Sequence, residues 1–164
     1  MTIKKHKFTN KFVVILDNIR SAQNVGSIFR TSDASGIDRL YLCGITPTPY
    51  PQRGVDRVSK TSLGAEKNVD WEYYDQTWEL IEKLKKENYK IVALEISENA
   101  IDYKNFSPEF PIALVLGNEV KGLDENILSQ ADTVLSLPMH GSKESLNVSV
   151  AFGIIAYKIN EFRN

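Results

Sequence analysis

Ser145 and Asn147 stand two residues apart at the head of the most apolar stretch of the chain, Val148 to Ile159. A helix that is greasy on nearly all sides has little packing use for two polar side chains at its start. Two readings fit. A buried helix N-terminus carries unpaired N–H groups and suits a ligand. Alternatively, a Ser or Asn there caps the helix by accepting those N–H bonds. Two further segments mix similar residues. Asn24 and Arg30 lie six positions apart in Asn24-Val25-Gly26-Ser27-Ile28-Phe29-Arg30-Thr31, and Glu119 is the only acid in Leu116-Gly117-Asn118-Glu119-Val120-Lys121-Gly122-Leu123.

The elements that must position these residues follow from hydrophobic pattern. Phe12–Leu16 is a β-branched run suited to a strand buried on both faces. Asn24 can cap a helix over Val25–Ser35 that Gly36 stops, with Val25, Ile28, Phe29 and Ser32 on one stripe and Ser27, Arg30 and Ala34 opposite. Arg39–Cys43 reads as a second strand, followed by a Pro-rich loop and a short helix over Val55–Ser62. Val69–Tyr74, Ile91–Leu94, Ile112–Leu116 and Thr133–Leu137 read as further strands. Thr77–Glu87 reads as an amphipathic helix around Trp78, Ile81 and Leu84, Asp124–Gln130 as a short helix, and Leu146–Phe162 as the closing one. Alternating strands and helices predict an α/β fold, a mostly parallel sheet with helices on both faces. Ligands on such sheets bind beyond the carboxyl ends of strands. All three polar segments follow predicted strands, so they converge on one edge.

In this order and spacing, the Asn24–Thr31, Leu116–Leu123 and Ser145–Ala151 segments resemble the three motifs of the SpoU/TrmH family of RNA 2′-O-methyltransferases, within the SPOUT class. The resemblance runs from about Phe12 to the C-terminus. It implies a trefoil knot in the C-terminal part of the sheet, S-adenosylmethionine (AdoMet) as cofactor, and tRNA or rRNA as substrate. It implies that Leu94, Gly117, Leu137, Met139, Ser145 and Leu146 hold the cofactor. The catalytic set it implies is Asn24, Arg30, Glu119, Ser145 and Asn147. Arg30 corresponds to the family's catalytic arginine. A guanidinium scarcely loses its proton in proteins, so the expected role is to orient the nucleotide and stabilise developing alkoxide charge. His140, in the third-motif loop, is a plausible base from its ordinary pKa alone. The resemblance also implies a homodimer through the apolar closing helix, which would let Arg30 act across the interface.

Composition bounds the rest. At 164 residues the chain is expected to be a single domain, 1–164, with a short basic arm over about residues 1–11. The net charge of −1 gives no global nucleic-acid signal, so RNA contact must come from local patches. Candidates are Lys4, Lys5, Lys7 and Lys11 in the arm, and Arg53, Arg57 and Lys60, which fall on one face if their segment is helical. Together with Arg30 these form the expected RNA-binding set. One cysteine excludes an internal disulfide, and with only two histidines no metal site is expected. Cys43, inside an apolar strand, is expected to be a buried, inert thiol. The N-terminus shows no apolar signal region and no run is long enough to span a bilayer, so no membrane association and a cytoplasmic location are expected. A non-catalytic RNA-binding protein of the same fold is the alternative. A dinucleotide-dependent oxidoreductase lacks support, because no G-x-G-x-x-G follows the first strand.

Overall fold

The computed structural model describes residues 8–164. Lys4, Lys5, His6 and Lys7 of the expected arm lie outside the described residues, while Lys11 is exposed and pairs with Asp38 at 3.2 Å.

Seven strands form one sheet: β1 (Phe12–Asp17), β2 (Arg39–Cys43), β3 (Trp71–Tyr74), β4 (Lys90–Leu94), β5 (Ile101–Asp102), β6 (Ile112–Leu116) and β7 (Thr133–Ser136). Their order is β3-β2-β1-β6-β4-β7-β5, and every pairing is parallel. The chain thus lays down β1, β2 and β3 outward, crosses to start β4, and returns twice: β6 enters between β1 and β4, and β7 between β4 and β5. The expected α/β class holds, and the two-residue β5 is an addition that the sequence pattern did not show. Helices α1 (Ala22–Ser35), α2 (Ser59–Ser62), α3 (Thr77–Lys86), α4 (Glu125–Gln130) and α5 (Val148–Asn160) flank the sheet.

Strand alternation builds two cores. Phe12, Val14 and Leu16 point to one face and pack with Val25, Ile28 and Phe29 of α1 and Phe152, Ile155 and Ile159 of α5. Val13 and Ile15 point to the other and pack with Leu80, Ile81 and Leu84 of α3 and Ile127 of α4. Each such fully buried Leu, Ile or Phe contributes about 1.5–3 kcal/mol. Burial on both faces is why β1 is apolar without alternation. Register matters most at the carboxyl edge. Leu116 pairs with Leu16 on one side and Leu94 on the other, and Leu94 with Leu135. The turns that begin at Asp17, Gly117, Glu95 and Ser136 therefore leave the sheet side by side.

Four local expectations need correction. Helix α1 starts three residues earlier than Val25, and Ser21, not Asn24, is its cap: the Ser21 hydroxyl accepts from Asn24 N–H at 3.2 Å. The helix expected over Val55–Ser62 shrinks to Ser59–Ser62, because Asp56 accepts the N–H groups of Val58 and Ser59 at 3.1 and 3.0 Å and ends the loop there. Arg53 and Arg57 are therefore loop residues. In α3 the inward stripe is Thr77, Leu80, Ile81 and Leu84, and Trp78 faces outward, 38% exposed. Helix α5 starts at Val148 with Asn147 as its cap, and its N-terminus is exposed rather than buried.

The far end of α5 is stapled to the end of α1, the turn after it and the residues that lead into β1. The buried Arg163 guanidinium pairs with Asp38 at 2.8 Å, and donates to the carbonyls of Gly36 at 2.9 Å and Asn10 at 3.0 Å. Asn160 donates to the Ser35 carbonyl at 2.6 Å. These bonds set α5 against α1, and so fix where Asn147 meets Asn24.

Candidate active site

Beyond the carboxyl ends of β4, β6 and β7 lies a cavity of about 450 Å³. All six residues expected to hold a cofactor (Leu94, Gly117, Leu137, Met139, Ser145 and Leu146) line it, as do Asn24, Glu119 and Asn147. Each arrives from a strand end or helix start. Leu94 and Gly117 come off neighbouring strands, Leu137 and Met139 follow β7, and Ser145 to Asn147 lead into α5.

The floor depends on two glycines. The 117–123 turn folds back on itself, with Gly122 N–H donating to the Asn118 carbonyl at 2.8 Å. A Cβ on Gly117 would meet the Gly122 carbonyl carbon and the Leu123 nitrogen, each at 2.8 Å. Gly122 has φ +68°, and a Cβ there would strike the Glu95 carboxylate. Gly117 is therefore required by close backbone approach, and Gly122 by its left-handed backbone and the Glu95 carboxylate beside it.

The rim is a hydrogen-bonded chain through all three motifs. Glu119 accepts the N–H groups of Arg20 at 2.9 Å and Ser21 at 3.1 Å, and the Asn24 side-chain amide at 3.1 Å. Asn24 Oδ1 in turn accepts from Asn147 Nδ2 at 3.0 Å. Asn147 Oδ1 accepts from the Ser149 N–H at 2.9 Å and its hydroxyl at 2.6 Å. Asn147 is thus both a helix cap and a tertiary contact, so the two readings of its position coexist. Burial pushes the Glu119 carboxyl up, but the donors from Arg20, Ser21 and Asn24 outweigh it, and the group sits below the ordinary glutamate value. Glu119 is ionised at neutral pH and acts as an acceptor only. Ser145 is exposed at the cavity, and among the described residues its hydroxyl has no hydrogen-bond partner.

Arg30 is placed differently. It is exposed on the stripe of α1 shared with Gln23 and Ala34, about 9 Å along the axis from Asn24 at 1.5 Å per residue. It does not line its own cavity, and it makes no hydrogen bond or ion pair with any described residue. Arg53, Arg57 and Lys60 come together, though not on a helix face: they line a separate groove beside the α1 N-terminus. His140 is exposed and outside the residues that line the cavity. Cys43 is fully buried, and desolvation pushes its thiol up to about 12, as an inert thiol requires.

Two lining residues that hold the loops of the cavity, Glu95 and Asn118, carry no role in the sequence reading. Glu95 accepts the N–H groups of Leu123 at 2.9 Å and Ile96 at 3.0 Å, clasping the 117–123 turn to β4. Asn118 accepts from the N–H groups of Val120 and Lys121 at 2.9 Å and donates to the Asn18 carbonyl at 2.7 Å. The signal for Glu95 was available, since it directly follows a strand at the edge where ligands bind. Among the described residues no group of three or more His, Cys, Asp or Glu is placed to hold a metal ion, and no helix is long and apolar enough to cross a membrane.

The motif order and strand topology agree with known proteins. The model of the SpoU rRNA Methylase family matches residues 11–157. A TrmH-family protein of Staphylococcus haemolyticus (strain JCSC1435) is 34% identical over 152 residues, covering 93% of this chain and 59% of the relative. The chain thus spans about three fifths of that relative's length. Among solved structures, the A. aeolicus TrmH/SpoU tRNA modifying enzyme superposes with TM-score 0.82 at 30% identity, over 95% of this chain and 77% of that one. An AdoMet-bound rRNA methyltransferase from Sinorhizobium meliloti gives TM-score 0.84 at 25% identity, over 94% of this chain and 57% of that one. From the all-parallel sheet, the three motifs joined at one rim and a family model spanning most of its length, this chain belongs to the SpoU/TrmH family.

Proposed function

We propose that this chain is an AdoMet-dependent RNA methyltransferase that acts on a ribose 2′-OH of tRNA or rRNA. The observation that carries the reading is the Glu119–Asn24–Asn147 chain of hydrogen bonds, which ties the three motifs together at the mouth of one cavity. The cavity fits the cofactor. Its volume of about 450 Å³ is within the range of small-molecule sites. Gly117 leaves its backbone approachable, and Leu94, Leu137, Met139 and Leu146 offer apolar walls for an adenosine.

When bound, AdoMet supplies an electrophilic methyl group on a sulfonium. Backbone groups of Gly117, Leu137, Met139 and Leu146 would hold the adenosine, and Ser145 and Asn147 would border the methyl group. Asn24 and Asn147 hold each other in one orientation, so the incoming hydroxyl meets a fixed surface; such positioning is worth orders of magnitude in rate. Arg30 orients the target nucleotide and stabilises negative charge on the 2′ oxygen as its proton passes to solvent.

Arg30 faces away from its own cavity, which favours action across a dimer. On α5 the outward residues Val150, Ile154 and Tyr157 form one apolar stripe, with Val150 52% and Tyr157 56% exposed. A second copy seated on that stripe covers it and brings the flank of its α1 to this cavity. The same reading takes 1–164 as one catalytic domain working in the cytoplasm. It includes the trefoil knot, supported by the two inserted strands, β6 and β7, whose following loops flank one cavity.

The test is transfer of labelled methyl from AdoMet to unmodified tRNA and rRNA, with nucleoside digestion. A 2′-O-methylated nucleoside, lost in Arg30→Ala, is expected. Methyl on a base would overturn the ribose assignment. RNA binding with neither cofactor binding nor transfer would leave a non-catalytic RNA-binding protein.

A further inference from the structure

A second cavity, of about 750 Å³, opens on the other side of the α1 N-terminus. Its walls include Arg20, Gln23, Arg53, Arg57 and Lys60, with Pro51 among the apolar residues between them, and no carboxylate lines it. All four cations are exposed, and none forms an ion pair with a described residue. Arg20 is new to this set: it was not among the cations singled out from the sequence. Its backbone N–H, with that of Ser21, is bonded to Glu119. The first turn of α1 is therefore a shared wall, with the cofactor cavity on one side and the basic groove on the other.

The loop that presents Arg53 and Arg57 is held from beneath by two carboxylates. Asp56 accepts from the Tyr50 N–H at 3.2 Å and from the Ser59 hydroxyl at 2.6 Å. Glu66, buried, accepts from the Tyr50 hydroxyl at 2.8 Å and from the Ser62 hydroxyl. Tyr50 thus bonds to Asp56 inside the loop through its amide, and to Glu66 beyond α2 through its phenol. It does so from φ +52°, an uncommon backbone conformation for a non-glycine residue. The residue is 54% exposed, so burial does not explain the placement. The bond to Glu66 pushes the Tyr50 hydroxyl above its ordinary value, which keeps it a donor.

We propose that this groove is a preset seat for the phosphodiester backbone of RNA, and that Tyr50 is the positioning residue that holds its arginine-bearing wall in place. The proposal rests on the reading of the chain as an RNA-modifying enzyme and adds where the strand lies. Four exposed cations around one groove suit a run of phosphates rather than a single anion. A strand seated there runs past the first turn of α1, where a ribose reaches the rim formed by Asn24 and Asn147. Rigidity matters because each long cationic side chain loses rotamer entropy on binding, and a loop fixed beforehand adds no ordering cost of its own.

The experiment uses the full chain and a short mixed-sequence single-stranded RNA, with binding followed by fluorescence anisotropy at several salt concentrations. Wild type is expected to bind with a steep salt dependence. Arg53→Ala with Arg57→Ala should reduce the slope of log affinity against log salt by about 1.4, at about 0.7 for each phosphate no longer neutralised. Tyr50→Phe should weaken binding about five-fold, the worth of one net hydrogen bond. In the double-alanine background Tyr50→Phe should do nothing further, since it acts through those arginines. AdoMet affinity, read by calorimetry, should be the same in all variants.

A Tyr50→Phe effect of equal size in both backgrounds would overturn its positioning role, as would parallel loss of AdoMet affinity. Binding of polyglutamate as tight as RNA would overturn the choice of ligand. AdoMet binding by a wild type with no salt-dependent RNA binding ends the groove proposal alone. RNA binding by a wild type that takes no AdoMet ends the methyltransferase reading and leaves the groove standing.

Discussion

Two cavities of nearly equal volume, about 450 and 400 Å³, open at the carboxyl edge of the same sheet, and Glu119 of the first and Asp17 of the second are treated in opposite ways. In the first, at β4, β6 and β7, Glu119 and Glu95 are occupied by N–H donors from loops they hold together. In the second, at the ends of β1 to β3, Asp17 is buried with the hydroxyl of Thr77 at 2.5 Å and the Asn18 amide at 3.1 Å. Burial raises Asp17 above its ordinary value, those bonds lower it less, and nearby Asp124 raises it again. Donors that outweigh burial turn a carboxylate into a structural clamp; where burial outweighs the donors, as at Asp17, it leaves a charge the fold resists. Position at the sheet edge is therefore insufficient to mark a ligand site. The cavity whose acids are already committed to its loops is the one that can hold a ligand in fixed geometry.

The largest test of that contrast is Glu119→Ala. It orphans the Arg20 and Ser21 N–H groups and frees Asn24, and a rim misplaced by about 1 Å costs about 100-fold in methyl transfer. Single-turnover kinetics would show it; an unchanged rate would mean the hydrogen-bonded rim has no part in alignment. The pH dependence has a definite sign. Glu119 is held below its ordinary value of 4.5, so its stabilising contribution is complete above that value and is lost as the pH falls further. In Glu119→Gln, denaturant titrations should show that this acid-side loss of stability is smaller.

Next in size is Gly117→Ala, whose Cβ meets backbone atoms at 2.8 Å that cannot move aside cheaply. It should cost about 1–3 kcal/mol of stability, as overpacking does, with AdoMet affinity down about ten-fold by calorimetry. Normal AdoMet affinity would separate the floor of the cavity from cofactor binding.

The second cavity should respond in the opposite sense. Asp17 has a raised value in the fold, so the native state holds its proton more tightly than the unfolded chain does. Ionisation then costs stability progressively as the pH rises past 3.8, the ordinary value. Asp17→Asn keeps an oxygen for Thr77 and should leave stability at neutral pH equal or higher by at most about 1 kcal/mol. A clear destabilisation at neutral pH would show that the charge itself is needed. The smallest effect is the fourth. Cys43, beside this cavity and pushed up to about 12, should resist alkylation in the native protein and react only on unfolding.

The legibility of this molecule divides along physical lines. Strands β1, β2, β4 and β6 were readable because strands buried on both faces must be continuously apolar. Thr133–Leu137 was readable too, within one residue. The inward stripe of α1 followed from its period. Boundaries set by side-chain hydrogen bonds were less legible. Ser21 and Asn24 have equal credentials as a cap, and only the presence of Glu119 across the rim decides that Asn24 looks outward. Asp56 truncates a helix that composition favours, because its carboxylate outcompetes the next backbone carbonyls.

What the sequence determined by itself was the class of the fold, the three polar segments and the edge on which they meet. These depend on local pattern, and local pattern is written residue by residue. Tertiary structure alone decided that Asn24 bonds Asn147, that Arg30 faces away from its own cavity, and that Arg20 joins Arg53, Arg57 and Lys60 around one groove. Those partners are brought together by strand register and helix packing across a sequence separation of as many as 123 residues, and no local signal carries such a pairing.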